Sequence, residues 1–100
     1  MKANLAHMTP GEILLEDYMK PMGLTQNALA RALGVPPRRV NEIIHGKRVI
    51  TLDTSLRLGR YFGQSPQFGL NIQTECDLCN AKPLMERVAR EVHPMAILAA

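Results

Sequence analysis

Apolar residues along this chain recur at spacings of three and four rather than two. Ile13, Leu14 and Tyr18 form one such set, Leu29 and Leu33 another, and Val40, Ile43 and Ile44 a third. Leu84, Val88 and Val92 repeat the pattern near the end. That period is helical, and no stretch alternates as a half-buried strand would. Thr9-Pro10-Gly11-Glu12 has the spacing of a capping box with Pro at the first helical position, and Lys20-Pro21 ends the helix it opens. Thr25 caps a second helix, Gln26 to Leu33, closed by Gly34, and a third runs from Pro37 to His45 with Gly46 behind it. Thr51 or Asp53 opens a fourth, through Leu52, Leu56, Tyr61 and Phe62, which Gly63 ends. Ser65-Pro66 opens a fifth, carrying Phe68, Leu70, Ile72 and Leu78, until Pro83 interrupts it. A last helix spans Leu84 to Val92 and stops at Pro94, with a frayed tail from Met95. The expectation is an all-α chain of five to six short helices in one domain.

Composition narrows the class. With 100 residues, 46% of them apolar and 21% charged, the chain is an ordinary globular one with room for a single core. No Trp and only two Tyr and two Phe are present, so the core is aliphatic. The apolar runs are a handful of residues long, far short of the roughly 20 that span a bilayer, and no signal-peptide stretch opens the chain. A cytoplasmic protein without membrane contact is expected. The two cysteines, Cys76 and Cys79, lack the further ligands of a zinc site and the preceding strand of a redox motif, and read as small buried hydrophobes. No nucleophile–base set, paired carboxylates or phosphate loop is present, so neither an enzyme nor a cofactor or metal is expected.

Charge is more telling by position than in total. The net charge is +3, yet residues 25–64 carry seven cations (Arg31, Arg38, Arg39, Lys47, Arg48, Arg57, Arg60) against Glu42 and Asp53. Each flanking segment is slightly acidic. A concentrated basic stripe suits a polyanion such as nucleic acid. Within it, Gln26 to Gly46 reads QNALARALGVPPRRVNEIIHG. Two short helices meet at Gly34-Val35-Pro36, with the small Ala30 where they must cross and Val40, Ile43 and Ile44 turned inward. Those demands together are the steric signature of a helix-turn-helix.

At about 100° per residue, with Val40 as zero, Ile43 and Ile44 bracket the buried stripe at about 300° and 40°. Asn41, His45, Arg38 and Glu42 then occupy the opposite face, between about 100° and 200°. Arg can pair with guanine, Asn with adenine, and Glu can accept from cytosine, so Arg38, Asn41, Glu42 and His45 are the candidate base contacts. Arg39 lies on the flank, Gln26 and Asn27 stand at the start of the preceding helix, and Lys47 and Arg48 follow Gly46. These five are the candidate phosphate contacts. Pro36-Pro37 supplies no capping side chain, which leaves the Arg38 and Arg39 amides open to water or an anion. The four-residue spacing of Arg38 and Glu42 also permits a plain surface ion pair.

Residues 8 to about 80 resemble the HigA antitoxins, within the larger xenobiotic-response-element (XRE) and phage-repressor helix-turn-helix group. The residues that carry the likeness are Pro10-Gly11-Glu12-Ile13-Leu14, Leu24 to Ala30, Gly34 to Arg39, Gly46-Lys47-Arg48 and Ser65 to Gln73. The resemblance implies a lambda-repressor-like DNA-binding domain. It further implies a homodimer that binds an inverted-repeat operator in double-stranded DNA, represses its own operon and neutralises a RelE/HigB-like mRNA-cleaving toxin. Residues 1–8 would be a flexible N-terminus, 9–80 the DNA-binding domain with its motif at 26–46, and 81–100 a C-terminal helical extension and tail. One departure stands out: the family commonly has Trp where this chain has Gly69. Two other readings fit the same residues, a stand-alone XRE-type regulator without a toxin and a module that only binds a protein partner.

Overall fold

The computed structural model describes residues 9–96, so the expected flexible N-terminus 1–8 and the last four residues of the tail lie outside it. The described residues form helices and no strand. In order they are α1 (Pro10–Ile13), running directly into a π-helical segment (Leu14–Met19), α2 (Gln26–Leu33), α3 (Pro37–Ile44), α4 (Leu52–Phe62), α5 (Phe68–Cys79) and α6 (Lys82–Glu91). The capping box forms as the sequence suggests: the Glu12 amide donates to Thr9 Oγ1 at 3.1 Å, and the Thr9 amide donates to Glu12 Oε1 at 2.8 Å. Thr25 Oγ1 accepts from the Ala28 amide at 3.0 Å, and Gly34, at φ +73°, ends α2 in the left-handed region.

The π-helical segment departs from expectation. The amides of Lys20 and Leu24 reach back five residues, to the carbonyls of Leu15 and Met19, both at 2.9 Å. This widening puts Leu14 and Met19, five apart, together in the core at 1% and 0% exposure. An ordinary helix would separate them by about 140°. The core they join is built from Leu29, Ala30, Val40, Ile43, Ile50 and Leu58, with Tyr18, Phe62 and Phe68 clustered at its edge. Gly11 seats α1 against the last turn of α3. A Cβ there would collide with the Ile43 carbonyl and Ile44 Cα, so only glycine permits the approach.

Helix α5 begins at Phe68 rather than at Ser65-Pro66, which instead form a turn closed by the Phe68 amide on the Ser65 carbonyl at 3.0 Å. Its cap comes from another helix. Ser55, wholly buried in α4, accepts from the Leu70 amide at 3.0 Å and donates to the Pro66 carbonyl at 2.7 Å. Gly69 makes that possible, since a Cβ would stand 2.8 Å from Ile50 Cγ2 and 3.0 Å from Ser55 Cα. Where the family commonly places an indole, this chain packs two helix backbones close together.

Two further expectations are corrected. Pro83 does not interrupt α5; the helix ends at Cys79, and Pro83 lies in the first turn of α6, where a missing N–H costs nothing. Cys76 is buried, and burial raises its thiol pKa, whereas Cys79 is exposed and not a core residue. Helix α6 has no buried residue, and the described residues extend over 53 × 24 × 24 Å. Their radius of gyration is 16.6 Å, against roughly 13 Å for a compact domain of this size.

Candidate nucleic-acid interface

Helix α3 has the two faces that its sequence suggests. Val40, Ile43 and Ile44 are buried, while Arg38, Asn41 and His45 lie exposed on the other side. Pro36 is extended (φ −63°, ψ 145°), and Pro37 is the first helical residue. The open amino end is half occupied: the Arg39 amide donates to the Pro36 carbonyl at 3.0 Å and is not free for an anion.

The polar side chains are held in pairs and triads. Arg38, one of the most exposed cations with 84% of its side chain accessible, donates from Nε to Glu42 Oε2 at 2.8 Å. Glu42 Oε1 accepts from Arg48 Nε at 2.9 Å and from its Nη2 at 2.8 Å. Hydrogen bonds from Arg38 first and Arg48 second hold the Glu42 carboxyl below its ordinary pKa. Asn41 Nδ2 donates to Gln26 Oε1 at 2.9 Å, tying α3 to the first residue of α2. That bond leaves Asn41 with Oδ1 and one N–H, the pair an adenine edge requires. His45 Nδ1 lies 2.8 Å from the Asn41 carbonyl, which can only accept. Nδ1 therefore carries a proton and donates to that carbonyl.

The flanking candidates separate into three groups. Arg39 Nη1 donates to Asp53 Oδ2 at 2.7 Å, and Asp53 also receives Arg57 Nε at 3.0 Å. Arg57 in turn donates from Nη1 to the Leu33 carbonyl at the end of α2, at 2.9 Å. Asp53 is held below its ordinary pKa by Arg57 first and Arg39 second. Asn27 and Lys47 are exposed and have no side-chain partner among the described residues. Arg48 belongs to the Glu42 triad. The loop that carries Lys47 and Arg48 is anchored at its far end by Gln73 of α5, whose Oε1 accepts from the Ile50 amide at 2.9 Å.

Asp53, Arg57 and Gln73 were missed in the sequence. Asp53 and Arg57 stand four apart, a readable spacing, but nothing local points from either to Arg39, and Gln73 lies 23 residues from its partner. Helix α3 is thus joined to the start of α2 through Asn41 and Gln26 and to the Lys47–Arg48 loop through Glu42 and Arg48. Of the cations on these elements, Lys47 is exposed and without a side-chain partner among the described residues, whereas Arg38 and Arg48 are paired with Glu42 and Arg39 with Asp53.

A helix-turn-helix family model matches residues 15–68. Virulence-associated protein I of Dichelobacter nodosus is 56% identical over 77 residues, covering 77% of this chain and 71% of that protein. Antitoxin HigA-1 of Vibrio cholerae is 36% identical over 87 residues, covering 87% and 82% respectively. Among solved structures, Pseudomonas aeruginosa antitoxin HigA with the higBA promoter superposes with a TM-score of 0.77 at 38% identity, covering 88% of this chain and 97% of that one. Other relatives are described only as HTH-type transcriptional regulators. No helix among the described residues is long and apolar enough to cross a membrane.

Proposed function

Because the chain belongs to the helix-turn-helix family that holds the HigA antitoxins and XRE-type regulators, we propose that it binds its operator as a homodimer, represses its own operon and neutralises a RelE/HigB-like toxin. The observation that carries this reading is the outward face of α3. Arg38 and Asn41 are each steadied by a neighbour through one bond and retain the donors and acceptors that pair with guanine and adenine. Lys47 and Asn27, without partners among the described residues, would take phosphates, as would Arg48 and Gln26 through the nitrogens they keep unbonded, and Arg39 once DNA competes for it. His45 would offer Nε2 to an adenine or cytosine amino group.

One module of this size touches few base pairs, so useful specificity needs a second copy on a half-site one helical turn away, about 34 Å. Helix α6 is suited to hold it. Leu84, Met85, Val88 and Val92 form one stripe, each between 45% and 63% exposed. Arg87 and Glu91, 3.5 Å apart, lie along one edge of that stripe. An antiparallel α6 pair would set Arg87 of each copy against Glu91 of the other, whereas a parallel pair would not match them.

Fluorescence anisotropy with a duplex from upstream of its own gene tests the DNA half. If some 6–10 phosphates are neutralised per dimer, affinity falls about 10³–10⁵-fold between 50 and 200 mM salt. A flat response overturns the electrostatic account. Co-expression with a neighbouring toxin-like reading frame tests the other half and should restore growth. If DNA binds and growth is not restored, the stand-alone regulator is the correct reading, as the relatives described only as regulators allow.

A further inference from the structure

Glu42 has the chemistry to accept from a cytosine, but both its oxygens are already in use. Oε2 holds Arg38 Nε, and Oε1 holds Nε and Nη2 of Arg48. The Glu42 side chain is only 21% exposed, against 84% for that of Arg38 and 44% for that of Arg48. A cytosine amino group that displaced either guanidinium would exchange a hydrogen bond between two ions for a weaker one from a neutral donor.

The two arginines are held differently. Arg38 is gripped only through Nε, the nitrogen nearest its stem. Both terminal nitrogens, the fork that fits guanine O6 and N7, carry no bond among the described residues. Arg48 is gripped through Nε and one terminal nitrogen, so its fork is partly spent and one edge remains, suited to a phosphate. A long, flexible side chain otherwise loses its freedom when it binds; here Arg38 is ordered before DNA arrives.

We propose that Glu42 is a positioning residue for base readout, aiming Arg38 at a guanine and Arg48 at the backbone, and touching no base itself. The inference rests on the DNA-binding reading above. It also carries a cost that gives it a recognisable signature, because a negative charge on this face repels every phosphate. Removing that charge should tighten binding to DNA in general and loosen discrimination at one base pair.

The test uses the full chain, a duplex from upstream of its own gene and a set of singly substituted duplexes, read by anisotropy. Arg38→Ala first identifies the base pair that Arg38 reads. Glu42→Gln should then lose about ten-fold discrimination at that same base pair. It should also bind random-sequence duplex more tightly than wild type, with a salt slope steeper by about one. The double variant should discriminate no worse than Arg38→Ala alone, since the second change removes only what the first has already removed. Loss at a different base pair, additive with Arg38→Ala, would overturn the proposal in favour of direct reading by Glu42. Equal weakening on every duplex, with a lowered melting temperature, would overturn it in favour of a purely structural role. If wild type binds no duplex at low salt, the DNA-binding reading itself falls; if wild type binds and either pattern above appears, this inference alone does.

Discussion

Replacing Ser55 with alanine should be among the most damaging single changes in the molecule. The hydroxyl is fully buried, and both its bonds reach other segments: the Pro66 carbonyl at 2.7 Å and the Leu70 amide at 3.0 Å. Leu70 is the third residue of α5, whose own N-cap residue, Gln67, supplies no side-chain bond. The variant therefore loses a helix cap, worth about 0.5–2 kcal/mol, and strands a donor and an acceptor at about 1–3 kcal/mol each where water cannot replace the hydroxyl. Both stranded groups are only part-buried, which keeps the sum near the lower bounds, about 2–4 kcal/mol. At about 4–8 °C per kcal/mol for a domain of this size, the melting temperature should fall by roughly 10–30 °C. Calorimetry on the purified variant measures this, and hydrogen exchange at the Leu70 amide reports the bond itself. A melting temperature and a Leu70 protection factor equal to wild type would refute the reasoning.

Arg38→Ala should cost about 1–3 kcal/mol on the operator and relax one base pair, whereas Lys47→Ala should weaken all duplexes alike; anisotropy on matched and substituted duplexes separates them. Val88→Glu places a charge in the α6 stripe and, if two copies pair through α6 as proposed, should leave only monomer in sedimentation equilibrium without lowering helix content, because Val88 lies outside the buried core. Glu42 and Asp53 are both held below their ordinary values of 4.5 and 3.8. Their contribution to stability is therefore complete above those values and is lost as pH falls through the lowered ones. Melting curves should steepen their fall only below about pH 4, and the Glu42→Gln, Asp53→Asn double variant should flatten that acid limb. An unchanged limb would remove both networks from the account.

Local rules carried the reading of the fold a long way. The reciprocal Thr9–Glu12 cap, the Thr25 cap, Gly34 in the left-handed region and Pro37 as the first residue of α3 each depend on residues within a turn of one another. The inward stripe of Val40, Ile43 and Ile44, and the Arg38–Glu42 spacing, were legible for the same reason. What escaped was non-local or off-period. The π-helical segment follows a five-residue repeat that a 3.6-residue template cannot register. The start of α5 is set by Ser55, fifteen residues from the amide it caps. Gly69 stood out only as a departure from the family's Trp and proves to be a point where α4 and α5 approach closely. At the site, the exposed residues were identified but their couplings were not. Asn41 to Gln26, Arg39 to Asp53 and Ile50 to Gln73 are separated by 15, 14 and 23 residues. Only the folded chain brings them into contact, and those couplings decide which donors remain free for DNA.

The claim that α3 enters a major groove as one half of a symmetric pair is tested most directly by dimethyl sulfate footprinting, which probes guanine N7 in that groove. With the upstream duplex at low salt, the account predicts two symmetric clusters of protected guanines, about 10–10.5 base pairs apart on one face of the helix. Arg38→Ala should expose one guanine in each cluster. Unprotected guanines under a bound complex, or a single unpaired cluster, would contradict it.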